Sequence, residues 1–164
     1  MELKEFDLQV VKIKENSVYV EYTSPNKLHK EDVDILPHPD LIKEVGKLTP
    51  ILNKVFENNR MKATGISVKK LNEDRLVTIT GVISFASGKK KGISSEGFQP
   101  SGYYDFEDEL FEITDNIILE TYAFLFGEKT GDKQGELFDK KADKEKEKKP
   151  KGKAAVIKEE EEPI

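Results

Sequence analysis

Along residues 3–13 apolar and polar positions alternate, with Phe6, Leu8 and Val10 on one face. Parity then slips, and Val11 and Ile13 continue on the other. Alternation with period two predicts a strand, and the slip predicts a bulge or burial on both sides. Lys14-Glu15-Asn16-Ser17 reads as a turn, and Val18, Val20 and Tyr22 resume the alternation, which predicts a first antiparallel hairpin ended by Ser24-Pro25-Asn26. From Lys27 to Pro39 the pattern fades into a linker closing on Leu36-Pro37-His38-Pro39, where two prolines keep any helix from crossing. Leu41, Val45, Leu48, Leu52 and Val55 then recur at helical spacing, so residues 40–58 are predicted as an amphipathic helix capped by Asp40 and stopped by Asn58-Asn59. Pro50 lies inside it and predicts a kink or restart near Thr49.

Residues 62–86 carry the clearest strand pattern. Thr64, Ile66 and Val68 alternate, Asn72-Glu73-Asp74 turns the chain, and Val77, Ile79, Ile83 and Phe85 share one face. Ser87-Gly88 with Lys89-Lys90-Lys91-Gly92 makes a basic turn, with a weaker strand through Ile93 and Phe98. After Gln99-Pro100-Ser101-Gly102, Asp105 is positioned to cap a last helix with Glu107, Asp108 and Glu109 in its first turn, where the helix dipole favours acids. Its stripe is Phe106, Leu110, Ile113, Ile117, Thr121 and Phe124, and Gly127 is expected as a left-handed stop. The order β-β-α-β-β-(β)-α predicts an α+β domain over residues 1–127, a mainly antiparallel sheet with two amphipathic helices on one face.

Composition changes the picture mainly at the C-terminus. Residues 128–164 hold eleven lysines and eleven acids, so the net charge of −5 belongs to residues 1–127. Seven of the domain's acids fall between Asp105 and Glu120 with no basic residue among them, so the domain as a whole is not a basic nucleic-acid binder. The chain has no cysteine, which excludes disulfides, thiol catalysis and thiolate metal sites. No apolar run of membrane-spanning length and no signal peptide is evident, and an intracellular, cytoplasmic protein is expected. Residues 139–153 carry eight lysines and four acids, too polar to form a core, and predict a disordered tether.

Catalytic patterns are scarce. There is no H-E-x-x-H, no G-x-S-x-G and no phosphate-binding glycine loop. His29 with Asp32 and Asp34 reads as solvated loop residues rather than metal ligands, and Glu109, Glu112 and Asp115 as the watered side of a helix that could also hold magnesium. The expectation is a non-enzyme without cofactors. Lys69, Lys70, Lys89, Lys90 and Lys91 lie near strand turns, and Phe98, Tyr103 and Tyr104 sit in segments broken by glycine and proline. Lysines that track phosphates beside aromatics that stack bases form a single-strand-binding surface.

Within the tail, Gln134-Gly135-Glu136-Leu137-Phe138 places two large apolar residues in a polar stretch, where they gain nothing for folding but can fill a partner's pocket. Gln134, Leu137 and Phe138 resemble the Gln-x-x-Leu-Phe motif by which replication and repair proteins bind the bacterial sliding clamp. Glu159, Glu160, Glu161, Glu162, Pro163 and Ile164 resemble the acidic tip of bacterial single-stranded DNA-binding proteins, with Ile164 where that family has phenylalanine. The resemblance implies docking on partner replication enzymes.

Together these features suggest a non-enzymatic DNA replication or recombination accessory of bacteriophage type. It would bind single-stranded DNA through the domain and recruit the sliding clamp and other proteins through the tail. The alternative is an adaptor or clamp inhibitor that touches no DNA; a small metal-dependent enzyme on the acidic helix is a third reading.

Overall fold

The computed structural model describes residues 1–127 and 129–131. The chain divides into two units, Met1–Lys129 and Thr130–Ile164, and the fold below is that of the first. The predicted tether, Gln134, Leu137, Phe138 and residues 159–164 lie outside the described residues.

A 3₁₀ turn at Leu3–Glu5 leads into strands β1 (Asp7–Ile13), β2 (Val18–Ser24) and β3 (Lys27–Val33). Helices α1 (Pro39–Gly46) and α2 (Leu48–Phe56) follow, then β4 (Met61–Leu71), β5 (Asp74–Ser84), β6 (Lys90–Phe98) and helix α3 (Glu107–Phe126). The strands form one antiparallel sheet in the order β3-β2-β1-β4-β5-β6. It consists of two three-stranded meanders joined where Val10, Val11 and Lys12 pair with Ser67, Ile66 and Gly65. The α+β class with helices packed on one face of an antiparallel sheet is as expected.

The parity slip in β1 is a β-bulge between Leu8 and Val10, which turns both Leu8 and Val11 into the core. Val18, Val20 and Tyr22 from β2, Ile66 from β4 and Val77 and Ile79 from β5 meet Leu41, Leu48, Leu52, Leu110 and Ile117 from the helices. Two threonines buried inside α3 are satisfied within their own helix. Thr114 donates to Leu110 O and Thr121 to Ile117 O, so neither costs the core an unpaired hydroxyl.

Five expectations are corrected. The linker from Lys27 contains the edge strand β3, whose side chains are mostly exposed. Its backbone pairs with β2 while only His29 and Val33 turn partly inward, so hydrophobic alternation had nothing to report. The predicted single helix is two, broken at Lys47 rather than kinked at Thr49. A proline ring clashes with the carbonyl four residues earlier, here that of Gly46, and Pro50 is accommodated by becoming the third residue of a new helix, where its missing N–H is not needed. The cap of α1 is His38, whose Nδ1 accepts from the Asp40 N–H at 3.1 Å. Asp105 does not cap α3, where Phe106 holds that position, and Gly127 closes it at φ −101° rather than in a left-handed conformation.

The junction of the meanders depends on a residue without a side chain. A Cβ on Gly65 would lie 1.9 Å from the Val11 carbonyl oxygen, a backbone atom that cannot step aside. A Cβ on Gly46 would meet nothing within 4 Å. Gly65→Ala is therefore expected to cost more than about 3 kcal/mol, beyond the usual range for single substitutions. Gly46→Ala is expected to be neutral or to stabilise by up to about 1 kcal/mol through helix propensity. Urea denaturation of the two variants checks both.

Candidate nucleic-acid interface

In an antiparallel meander, successive turns fall at opposite ends of the shared strand. Lys69 stands opposite Leu76 at the start of β5, whereas Lys91 stands opposite Ile83 near its end. Seven residues of strand separate them, roughly 23 Å. The two lysine groups proposed from the sequence therefore do not form one patch. Lys70 is also engaged, its Nζ lying 3.2 Å from Asp7 Oδ2. Phe98 is only 2% exposed and meets Tyr104 and Phe106 at right angles, so it is a core residue and has no face for a base.

Lys89, Lys90 and Lys91 do gain companions. The Ser84 N–H donates to Arg60 O, Phe85 N–H donates to Lys89 O, Lys62 pairs with Val82, and Lys90 pairs with Ser84. These contacts gather Arg60, Lys62, Lys89, Lys90 and Lys91 at one end of β4, β5 and β6. None of the five enters an ion pair among the described residues. Between this end and the last turn of α2 lies an open groove of about 760 Å³, lined by Pro50, Asn53, Asn58, Arg60 and Phe85 among others. Phe85 is 45% exposed there. Sequence reasoning placed Phe85 on one strand face with Val77, Ile79 and Ile83; β5 ends one residue before it, at Ser84. Asn58, Arg60 and Lys62 were missed because they lie more than twenty-five residues from Lys89, Lys90 and Lys91 in sequence, although the register of an antiparallel hairpin over residues 62–86 already sets Lys62 opposite the far end of its partner.

From the groove the surface continues along β6, the sheet's free edge. Lys54 lines the groove and pairs with Asp105 at 2.8 Å. Beyond it, the Tyr104 hydroxyl donates to Glu96 Oε2, and Glu96 lies five residues along β6 from Lys91, about 17 Å. Tyr103 and Tyr104 thus stand toward the Phe98 end of β6 and Lys89, Lys90 and Lys91 at its opposite end, along the flank formed by the β6 edge, and buried Phe98 offers no face there.

Glu107, the first residue of α3, sets the shape of this flank. It is only 5% exposed, and its carboxylate accepts from the backbone N–H groups of Tyr104, Ser101 and Gly102 at 2.8–3.0 Å and from the Ser101 hydroxyl at 2.8 Å. Donation by Tyr104 N–H and these partners outweighs burial and lowers its pKa from the ordinary 4.5 to about 2.

Asp115 and the two histidines are engaged within the fold. Asp115 is paired with Arg75 at 2.8 Å, His29 stacks on Tyr22 at 4.6 Å, and His38 caps α1. Among the described residues no three histidine or acidic side chains group closely enough to hold a metal ion, and no described helix is long and apolar enough to cross a membrane.

Because the folded-state pKa of Glu107 is depressed, the stability it contributes is fully present above about pH 4.5 and is lost as pH falls towards 2. Glu107→Gln, which offers one oxygen where the carboxylate offers two, is expected to lower Tm at pH 7. It should also flatten the dependence of Tm on pH between about 4.5 and 2 relative to the parent. Thermal melts by circular dichroism across that window provide the check. No protein-family model, no curated protein and no solved structure matches this chain.

Proposed function

We propose that the domain binds single-stranded nucleic acid at the groove end of the sheet and along the β6 edge. It would serve as a non-enzymatic accessory in DNA replication or recombination whose tail recruits partner proteins. The observation that carries the reading is the gathering of Arg60, Lys62, Lys89, Lys90 and Lys91, free of ion pairs among the described residues, at one end of β4, β5 and β6, where Arg60 and exposed Phe85 line a groove. Like charges gathered in this way repel one another and add nothing to folding, whereas polyanion phosphates neutralise them and release counterions.

The tail extends this reading through resemblance alone. Gln134, Leu137 and Phe138 supply a hook for the sliding clamp, and Glu159, Glu160, Glu161, Glu162, Pro163 and Ile164 a tip for other replication enzymes. Each motif can be weak by itself, because covalent attachment to the domain makes its binding an intramolecular event once the domain is engaged.

Fluorescence anisotropy with labelled oligo(dT) tests the domain. Binding should weaken with salt, with a log–log slope of about −0.7 per phosphate neutralised. The combined Lys89→Ala, Lys90→Ala, Lys91→Ala variant should reduce that slope by about 2, whereas Lys69→Ala should leave it almost unchanged. Absence of any binding at low salt removes the nucleic-acid role and leaves the adaptor that acts on proteins alone. A pull-down from bacterial lysate with the full chain, and with a chain stopped after Gly127, tests the tail. The sliding clamp is expected only with the full chain and should be lost on Leu137→Ala with Phe138→Ala; identical partner sets from both chains would refute the tail's role.

A further inference from the structure

Tyr103 is the most exposed of the large hydrophobic residues described, at 81%, yet it stands on a loop with little freedom. The N–H groups of Ser101, Gly102 and Tyr104 all point at the Glu107 carboxylate, and that of Tyr103 donates to Ser101 Oγ, which itself donates to Glu107. Every backbone donor from 101 to 104 is therefore spent, directly or through one hydroxyl, on a single buried anchor. Gly102 makes the required reversal at φ +76°. The aromatic rings behind it are fixed as well. Tyr104 stacks on Phe106 at 5.1 Å, Phe106 meets buried Phe98 at right angles, and Tyr103 meets Tyr104 at 4.8 Å and 89°. A ring held out in water by a pre-ordered loop has already met the entropy cost that a partner would otherwise impose on it.

We propose that Tyr103 is a stacking anchor for one unpaired nucleobase, with Glu107 as its positioning residue, and that it gives the interface a preference for single strands over duplex. The inference rests on the nucleic-acid reading above and deepens it. A tyrosine face accepts any base, but only one whose own face is free; in a duplex both faces of a base are taken by its neighbours. The place on the molecule suits this role, since a strand leaving the cations at Lys91 and following the β6 edge arrives at Glu96 and the tyrosine loop. A substitution at Tyr103 disturbs little packing, since among the described residues its one ring neighbour is Tyr104.

The test compares oligo(dT), an abasic strand of equal length and a duplex, using anisotropy on the full chain. The parent should bind oligo(dT) more tightly than either competitor. Tyr103→Ala should lose between about 5-fold and 150-fold on oligo(dT), the range for removing one base–aromatic stack, and nothing on the abasic strand. Tyr103→Phe should keep parent affinity, and Glu107→Gln should lose part of it on oligo(dT) alone. The chain has five tyrosines and no tryptophan, so a fall in tyrosine emission on oligo(dT) binding should shrink in Tyr103→Phe. Equal affinity of Tyr103→Ala and parent for oligo(dT), or an equal loss on the abasic strand, overturns the proposal while the lysine variant still reports on the wider reading. If the parent binds none of the three, both fall together.

Discussion

Three residue pairs hold this sheet together as one object. The first meander, β3-β2-β1, and the second, β4-β5-β6, pair along their backbones where Val10, Val11 and Lys12 lie against Ser67, Ile66 and Gly65. Each strand carries a bulge beside the seam, between Leu8 and Val10 on one side and between Ala63 and Gly65 on the other. Bulges add local twist, which curls a six-stranded sheet around the helices instead of leaving it flat. The apolar seat for α1 and α2 is made from both sides of the seam, by Val11, Val20, Ile66 and Ile79 together. If the seam opened, the helices would lose the part of their apolar seat that lies across it. The close approach at Gly65 is thus the constraint behind the core, the position of α2 and the groove at its end.

That dependence explains which parts of the fold were legible from the residues. Strands that bury alternate side chains, such as Val18, Val20 and Tyr22, announce themselves because the pattern and the burial have one cause. Edge strand β3 is held by backbone bonds to β2, and backbone bonds leave no trace in side-chain character. The helix break showed in Pro50, but its place did not. The clash of a proline falls one turn upstream, on Gly46, so the break appears at Lys47 and not beside the proline itself. Asp105 had the composition of a cap but is drawn to Lys54, and the first turn of α3 is organised by Glu107 reaching backwards into the loop. No periodicity distinguishes Glu107 from Asp108 and Glu109, its exposed neighbours; only the fold separates an acid that locks a loop from acids that face water.

The candidate site was half legible for a related reason. Lysines are visible singly, but a surface is made by register. Lys69 and Lys91 seem equivalent as turn lysines, yet a meander must set consecutive turns at opposite ends of the middle strand, and this alone divides them. The same rule brings Arg60 and Lys62 to Lys89, Lys90 and Lys91 across more than twenty residues of chain. Phe98 shows the converse. An aromatic at the end of a weak strand, next to glycine and proline, looks exposed in sequence, but it is the ring on which Tyr104 and Phe106 close that end of the sheet.

Charge sets the range over which such a surface can act. The domain is net negative, so a distant polyanion meets repulsion and not attraction. The five cations gain the upper hand only within about a Debye length, roughly 10 Å at moderate salt. Much of the acidity of α3 is also spent locally, with Glu107 buried under its loop, Asp115 on Arg75 and Glu120 on Lys129 at 2.9 Å. A surface of this kind is suited to holding a strand already close by, and poorly suited to capturing one from bulk solution. In the proposed reading that deficit is where the tail belongs, since partners already on DNA would deliver the domain to within reach. Short-range cations, a pre-ordered tyrosine and recruitment through separate motifs then become parts of one solution to weak long-range attraction.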